Sequence, residues 1–267
     1  MSTSRLGIMV RDFFTGVGLL GRGLGLVLRS PRLLGLGLLP ALISGLLYAA
    51  AISTLVVFID DVAAAVTWFA DDWSEGVRDV VRVVAGGAVL GLAGLLGVLT
   101  FTAVTLLIGD PFYEKISGRV EHRYGGIPDE VEVPLWQSLR RSLVDSLRLI
   151  GLSVVVGIPL FAAGFIPVVG QTVVPVIGAV VGGWLLTLEL TGVPFEKRGK
   201  RLRHRREELR ARRPLALGYG VAVFLCFLIP LGAVLLMPAA VAGSALLARM
   251  VFGLPTRITT VPVTPSL

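Results

Sequence analysis

The sequence predicts an all-α polytopic membrane protein with two long transmembrane helices, two re-entrant, hemi-penetrating helical hairpins and cytoplasmic amphipathic helices. Composition and charge spacing carry that class. Of 267 residues, 54% are apolar and only 16% charged, a balance suited to lipid as solvent. Four long intervals contain no Asp, Glu, Lys or Arg: Leu33 to Ile59, Val83 to Gly109, Leu149 to Leu188 and Pro214 to Ala248, of 27, 27, 40 and 35 residues.

A helix needs about 20 apolar residues to cross the hydrocarbon core, so 33–59 and 83–109 each make one comfortable span. The other two intervals are too short for two full spans and a turn, which want about 45 residues, and proline interrupts both. Irregular backbone at membrane depth is tolerated where protein or a water-filled cavity covers it. The intervals 149–188 and 214–252 are therefore read as re-entrant hairpins, with full spans as the alternative, and "GFIPVVGQ" as the first tip. An internal echo supports their equivalence: Ile158-Pro159-Leu160 precedes Pro167 and Ile229-Pro230-Leu231 precedes Pro238, each pair of prolines eight residues apart.

The remaining segments complete a single membrane domain, 1–267. Phe13, Val17, Leu20, Leu24 and Val27 step by four and three beside Arg11, Arg22 and Arg29, predicting an amphipathic helix over 8–28 on the cytoplasmic surface. Two more amphipathic helices are expected in 110–148. Asp110 suits the N-cap of the first and Pro111 its first position, with Phe112, Ile116 and Val120 along one face. The second starts near Pro134, with Leu135, Leu139, Leu143 and Leu147 on one side and Arg140, Arg141 and Arg148 elsewhere. Residues 189–213 form a basic cytoplasmic segment and 254–267 a flexible tail.

Orientation follows from the basic residues. The first 32 residues hold five, 110–148 six, 189–213 ten and the stretch after Ala248 two, whereas 60–82 holds two beside six acidic residues. The positive-inside rule makes the 60–82 loop external and both termini cytoplasmic. No cleavable leader is expected, since Arg11 and Asp12 interrupt the N-terminal apolar pattern. Only three lysines accompany 22 arginines, which fits a GC-rich bacterial genome, and the single cysteine with no expected leader points to the bacterial cytoplasmic (inner) membrane.

Enzyme chemistry finds little support. His122 and His204 lie far apart in polar segments, Cys226 stands alone in an apolar run, and no spacing suggests a metal site or a cofactor loop. The run 196–213 is basic, but it joins two membrane-embedded intervals and Glu207-Glu208 interrupt it, so anionic lipid is the expected neighbour and nucleic acid is not. Binding or transport remains. A helix starting at a hairpin tip offers unpaired N–H groups to an anion, and Gly170, Gln171 and Thr172 stand at such a start. Ordinary capping would place the same residues there. Thr100, Thr102 and Thr105 are candidate pore-lining residues, although threonine usually bonds back to its own helix. Gly87, Gly91 and Gly94 would permit close helix approach. Glu189 is the one candidate for proton coupling.

"FIPVVGQTVVPVIGAVVGGWLLTLELTGVPFEKRG" followed by "FLIPLGAVLLMPAAVAGSAL" resembles the CysZ-type sulfate permeases, a bacterial branch of the etoposide-induced membrane-protein family. The carrying residues are Pro167, Gly170, Gln171, Thr172, Pro175, Trp184, Pro194, Phe195, Ile229-Pro230-Leu231, Met237, Pro238 and Ala240-Val241. Pro111-Phe112 and Val120-Glu121 match the family's Pro-Phe motif and the helix that follows it. The resemblance spans roughly residues 10 to 253. It implies two long transmembrane helices, two hemi-penetrating hairpins, homo-oligomeric assembly, and sulfate entry for sulfur assimilation without an ATP-hydrolysing subunit. It also implies an anion-contacting Gly-Leu-Arg motif between two prolines, here Pro31 and Pro40. This sequence reads Pro31-Arg32-Leu33-Leu34 instead, so Arg32 and Arg29 are the candidate anion ligands, or else boundary residues reaching for the headgroups. Sulfate versus thiosulfate, molybdate or phosphate is not encoded in any recognisable cage. A non-transporting scaffold that organises lipid or a partner protein is the alternative function.

Overall fold

The computed structural model describes residues 2–128, 130–131, 135–229 and 231–257, with side chains described from 5 onward and outside 135–143. Among these residues every regular element is helical. The order is α1 (Ser2–Leu28), α2 (Pro31–Val57), α3 (Ile59–Val66), a 3-10 turn (Trp68–Ala70), α4 (Glu75–Arg123), α5 (Leu135–Gly164), α6 (Val169–Leu190), α7 (Gly192–Glu196), α8 (Leu202–Ala211), α9 (Arg213–Phe227) and α10 (Gly232–Val251). Among the described residues five helices are long and apolar enough to cross a membrane: α2, α4, the Val144–Gly164 part of α5, α6 and α10. The chain divides into two units, residues 1–37 with 111–267, and residues 38–110.

The larger unit is organised around α10, in which fourteen side chains from Gly232 to Arg249 are buried. α1 packs on α9 and α10, α9 packs on α6, and α5 pairs with α6. Glycine makes these crossings close. A Cβ on Gly16 would lie 2.1 Å from the Leu215 carbonyl oxygen, and one on Gly23 2.1 Å from that of Ala239. The reciprocal contacts are as tight: Gly218 faces the Phe13 carbonyl and Gly220 faces that of Gly183, at 2.0 Å each. Backbones meeting at this distance gain dispersion contacts in a medium where the hydrophobic effect does not drive helix pairing. Inside, Tyr219 donates its hydroxyl to the Ala240 carbonyl and Thr187 bridges to the Ala216 carbonyl at 3.1 Å.

Several expectations change here. α1 does not simply rest on a leaflet: Gly16, Leu19, Leu20, Gly23 and Val27 are buried against α9 and α10, so the buried stripe takes in Leu20 and Val27 of the predicted face together with two glycines, while Phe13, Val17 and Leu24 are half-buried. Asp110 is not an N-cap, because α4 runs unbroken from Glu75 to Arg123 with Pro111 inside it. A proline costs an interior helix its own N–H bond and crowds the preceding turn, and that local loss does not end a 49-residue helix. Likewise the helix expected near Pro134 and the first hairpin arm are one helix, α5. Pro134 itself, Pro230 and residues 258–267 of the expected tail lie outside the described residues, as do the side chains of Leu135, Leu139, Arg140, Arg141 and Leu143.

Both proline-broken intervals do contain a tight helical turn. Four residues, 165–168 and 228–231, separate α5 from α6 and α9 from α10. Each turn ends on a bulky residue in the left-handed region, Val168 at φ 68° and Leu231 at φ 61°, a strained choice outside glycine. Glycine follows where the chain doubles back: a Cβ on Gly170 would lie 2.0 Å from the Gly164 carbonyl oxygen, and one on Gly232 2.1 Å from that of Cys226. The correspondence therefore pairs Ile166-Pro167 with Ile229-Pro230, and Pro175 with Pro238, again eight residues on. The echo read from Pro159 was one repeat out of register, since Pro159 sits inside α5.

In the smaller unit α2 and α4 meet at Tyr48, whose ring lies 3.5 Å from the Cβ position of Gly97 and 5.7 Å, edge on, from Phe101. Thr100 donates to the Leu96 carbonyl at 2.6 Å, so the 2.6 Å bond between Tyr48 and Thr100 has the tyrosine as donor. Gly87, Gly91 and Gly94 meet nothing within 4 Å, whereas Gly86 packs on Ile59 and Ala63. The glycines named from the sequence are thus not the ones that make the intrachain approach.

Gly23→Ala should destabilise the protein by about 1–3 kcal/mol, through overpacking against the α10 backbone. Gly18→Ala, with open space around it, should be neutral or mildly stabilising. Thermal unfolding of both in detergent micelles compares the two faces of α1; equal effects would remove glycine packing as the cause.

Candidate functional site

The end of α4 is amphipathic, with Tyr113, Ile116, Ser117, Val120 and Glu121 buried while Arg119 faces out. Glu121 is 1% exposed and its carboxylate joins two arginines. Arg198 donates from Nη1 to Oε1 at 2.8 Å and Arg249 from Nη1 to Oε2 at 2.8 Å. Those guanidiniums are 7% and 2% exposed. Further acceptors complete the cluster. Arg249 reaches the carbonyls of Gly126 at 2.7 Å, Pro255 at 2.7 Å and Tyr124, and Arg198 reaches that of Pro194 at 2.6 Å. Phe252 lies 5.2 Å from Arg198 and 5.0 Å from Phe195. This cluster fastens the end of α4 to α7 and to the end of α10.

Two residues before Glu121, Arg119 extends to the corner between α1 and α2, where Nη1 donates to the Arg32 carbonyl at 3.4 Å. Arg29 and Ser30 form that corner, and the Ser30 carbonyl accepts the N–H groups of Leu33 and Leu34 at 3.0 and 2.9 Å as α2 starts at Pro31. Arg29, Arg32 and Arg119 are all exposed, and among the described residues none pairs with a carboxylate. Exposed guanidiniums without a carboxylate partner offer planar donors of the kind an oxyanion takes. The sequence singles out Arg29 and Arg32; Arg119 is 87 residues beyond Arg32, and only the fold brings it there.

The other site candidates are dispersed. At the first tip the Gly170 N–H donates to the Ile166 carbonyl at 2.8 Å and the Thr172 N–H to that of Val168 at 3.0 Å. The Thr172 hydroxyl returns to Val168 as well, at 2.6 Å, leaving the exposed Gln171 amide as the outward donor. Thr100 is committed to Leu96 and Tyr48, Thr102 is half-buried, and Thr105 is buried with no hydrogen bond at its hydroxyl. Glu189 is exposed and accepts from Ser146 at 2.9 Å, tying α5 to α6. Among the motif residues, Phe195 and Pro194 are buried beside the Glu121 cluster and Pro238 packs on Gly37. Trp184 and Phe112 are half-buried, while Pro111 and Pro167 are exposed. Among the described residues no group of His, Cys, Asp and Glu converges as a metal site.

α8 presents two faces. Leu202, Arg205 and Leu209 turn inward, and burial pushes the Arg205 guanidinium pKa down while Asp145, Glu189 and Glu196 pull it up. Arg203 and Arg210 are exposed.

The family model described as sulfate transporter CysZ/Etoposide-induced protein 2.4 matches residues 19–238, which take in the arginine corner, both turns and Glu121 with Arg198. The chain belongs to this family. Two proteins named sulfate transporter CysZ are among its relatives. That of Pseudomonas fluorescens strain ATCC BAA-477 (Pf-5) is 32% identical over 151 residues, covering 55% of this chain and 60% of the relative. That of Pseudomonas fluorescens strain Pf0-1 is 30% identical over 159 residues, covering 58% and 63%. The alignments thus span about 60% of those relatives' length. Within the family match, the Pro-Phe and Val-Glu motifs acquire a physical meaning: both lie on the α4 segment that the buried carboxylate secures.

Glu121→Gln leaves two buried guanidiniums facing a neutral amide, and should cost about 3–5 kcal/mol. Thermal unfolding should show the loss with little dependence on salt, because the pair is shielded from counterions. A change under about 1 kcal/mol would mean that the cluster is solvated in the membrane-embedded protein.

Proposed function

We propose that the chain is a permease or channel for sulfate or a related oxyanion in the bacterial cytoplasmic membrane, serving sulfur assimilation. Membership of the sulfate transporter CysZ/Etoposide-induced protein 2.4 family carries the reading. The exposed arginines at the α1–α2 corner support it as an anion contact. Arg29, Arg32 and Arg119 attract the anion through several exposed and individually weak contacts, which allows release as well as capture. Gln171 supplies a neutral donor at the first tip. Glu121 contacts no anion in this scheme; it sets the position of Arg119.

The same reading makes both turns re-entrant. Their surfaces support it: Phe165, Ile166 and Val168 at one tip and Leu228, Ile229 and Leu231 at the other are exposed and apolar. A turn reaching the far headgroups would be expected to carry polar side chains, as 60–82 does. α9 also has only 15 residues, about 22 Å of helix against a hydrocarbon core of about 30 Å. The external assignment of 60–82 gains support from exposed Trp68, Phe69 and Trp73, residues that favour the membrane interface. Homo-oligomeric assembly belongs to the same proposal, with Gly87, Gly91 and Gly94 leaving room on one face of α4.

Radiolabelled sulfate uptake into proteoliposomes tests the function. Arg119→Ala and the Arg29→Ala/Arg32→Ala pair should each lower flux by about tenfold, the weight of one charged hydrogen bond, and Gln171→Ala by less. Absence of anion flux through the folded, reconstituted chain would overturn the permease reading and favour the scaffold.

Depth is tested separately, with Val168→Cys in a Cys226→Ser background carrying a spin label. Collisional relaxation by oxygen and by a water-soluble nickel complex should place it near the bilayer centre. A label at headgroup depth would make α5 and α6 two full spans.

A further inference from the structure

Between α5 and α8 lies an open recess of about 580 Å³ lined by Arg148, Leu152, Leu202, Arg203, Arg206, Glu207 and Arg210. Four guanidiniums face one carboxylate there. Glu207 is engaged by Arg203 at 3.3 Å and Arg148 has only a 3.8 Å contact with Asp145, whereas Arg206 and Arg210 pair with no carboxylate among the described residues. The Arg206 Nε is shielded from solvent and makes no hydrogen bond among the described residues. This is a strongly cationic recess with donors to spare, on elements distinct from the α1–α2 corner.

Its position restricts the occupant. Arg148 is the last charged residue before the charge-free interval that begins at Leu149. Arg148, Leu152 and Val155 follow one face of α5 at intervals of four and three, and Val155 is exposed, as are Ile150, Val154 and Ile158. The recess therefore passes from guanidinium to aliphatic surface within two helical turns. A free oxyanion uses only the first part of that gradient. A phospholipid uses both, its phosphate among the arginines and its acyl chains along α5. We propose that this recess is a binding site for an acidic phospholipid, held by Arg148, Arg206 and Arg210 through its phosphate. The size is appropriate to a headgroup, and basic pockets at the cytoplasmic edge of transmembrane helices select anionic lipids on electrostatic grounds.

Native mass spectrometry of the full chain in detergent, titrated with phosphatidylglycerol and separately with phosphatidylcholine, tests this site without reference to transport. The intact protein should retain phosphatidylglycerol with an affinity on the order of tenfold higher. Arg206→Gln/Arg210→Gln should bring the two lipids to near equality, and Arg148→Gln should move them partway. Arg5→Gln/Arg11→Gln removes the same charge elsewhere and should leave the preference intact. Equal loss in that control would replace the site by diffuse attraction and overturn the proposal, as would an unchanged preference in the pocket variants. Displacement of phosphatidylglycerol by millimolar inorganic phosphate or sulfate would also overturn it, assigning the recess to free oxyanions. Each of these outcomes is compatible with sulfate flux present or absent, so the failure of one proposal is distinguishable from the failure of the other.

Discussion

Two guanidiniums buried around one carboxylate leave an excess positive charge where the bulk of the surroundings is apolar. Desolvating three charges costs several kcal/mol each, and the arrangement persists only if every partner is well placed. Here Glu121 receives one arginine on each carboxylate oxygen, and backbone carbonyls from Gly126, Pro194, Tyr124 and Pro255 take up other N–H groups. The cluster needs three segments that are far apart in sequence, so it forms only once α4, α7 and α10 have come together. That requirement fixes the end of α4 and with it Arg119 at the corner of α1 and α2.

The same larger unit is drawn together by close backbone contact. Gly16 and Gly23 let α1 settle onto the carbonyls of α9 and α10, while Gly183, Gly218 and Gly220 bring α9 against α6 and α1. Contacts of this kind tolerate no Cβ, which makes the packing specific without large side chains. It also leaves long apolar side chains of α5 and α6 exposed, a surface suited to lipid. The two arginine groups differ in setting: one lies at the exposed corner between α1 and α2, the other in a recess where α8 meets the middle of α5, beside exposed aliphatic side chains.

Much of the membrane character was legible from residue type alone. The charge-free intervals contain the apolar stretches of all five candidate spans, and the break in α5–α6 falls inside the quoted "GFIPVVGQ". Helix boundaries were less legible wherever proline was taken as punctuation. Pro111 and Pro159 lie within helices, whereas Pro167 stands in a turn whose next residue, Val168, adopts positive φ. A proline removes one donor in either setting, and whether the chain continues depends on the packing beyond it. Glycine spacing was equally silent about its intrachain neighbours. Gly87, Gly91 and Gly94 look like a contact stripe, yet the intrachain contacts fall at Gly86 and Gly97, because small size permits approach without specifying a neighbour.

The sequence by itself determined the solvent, the distribution of charge and the helical class, since each follows from the transfer energy of residues taken in runs. It also marked Arg29 and Arg32, whose position at an apolar boundary is visible locally. Tertiary structure decided that Arg119 joins them, that Glu121 is shared by Arg198 and Arg249, and that Arg148 faces the same recess as α8. Those pairings cross 87, 77, 128 and more than 50 positions of sequence. Charge has no periodicity over such distances, so which cation meets which carboxylate was settled only when glycine contacts and helical turns set the backbones in place.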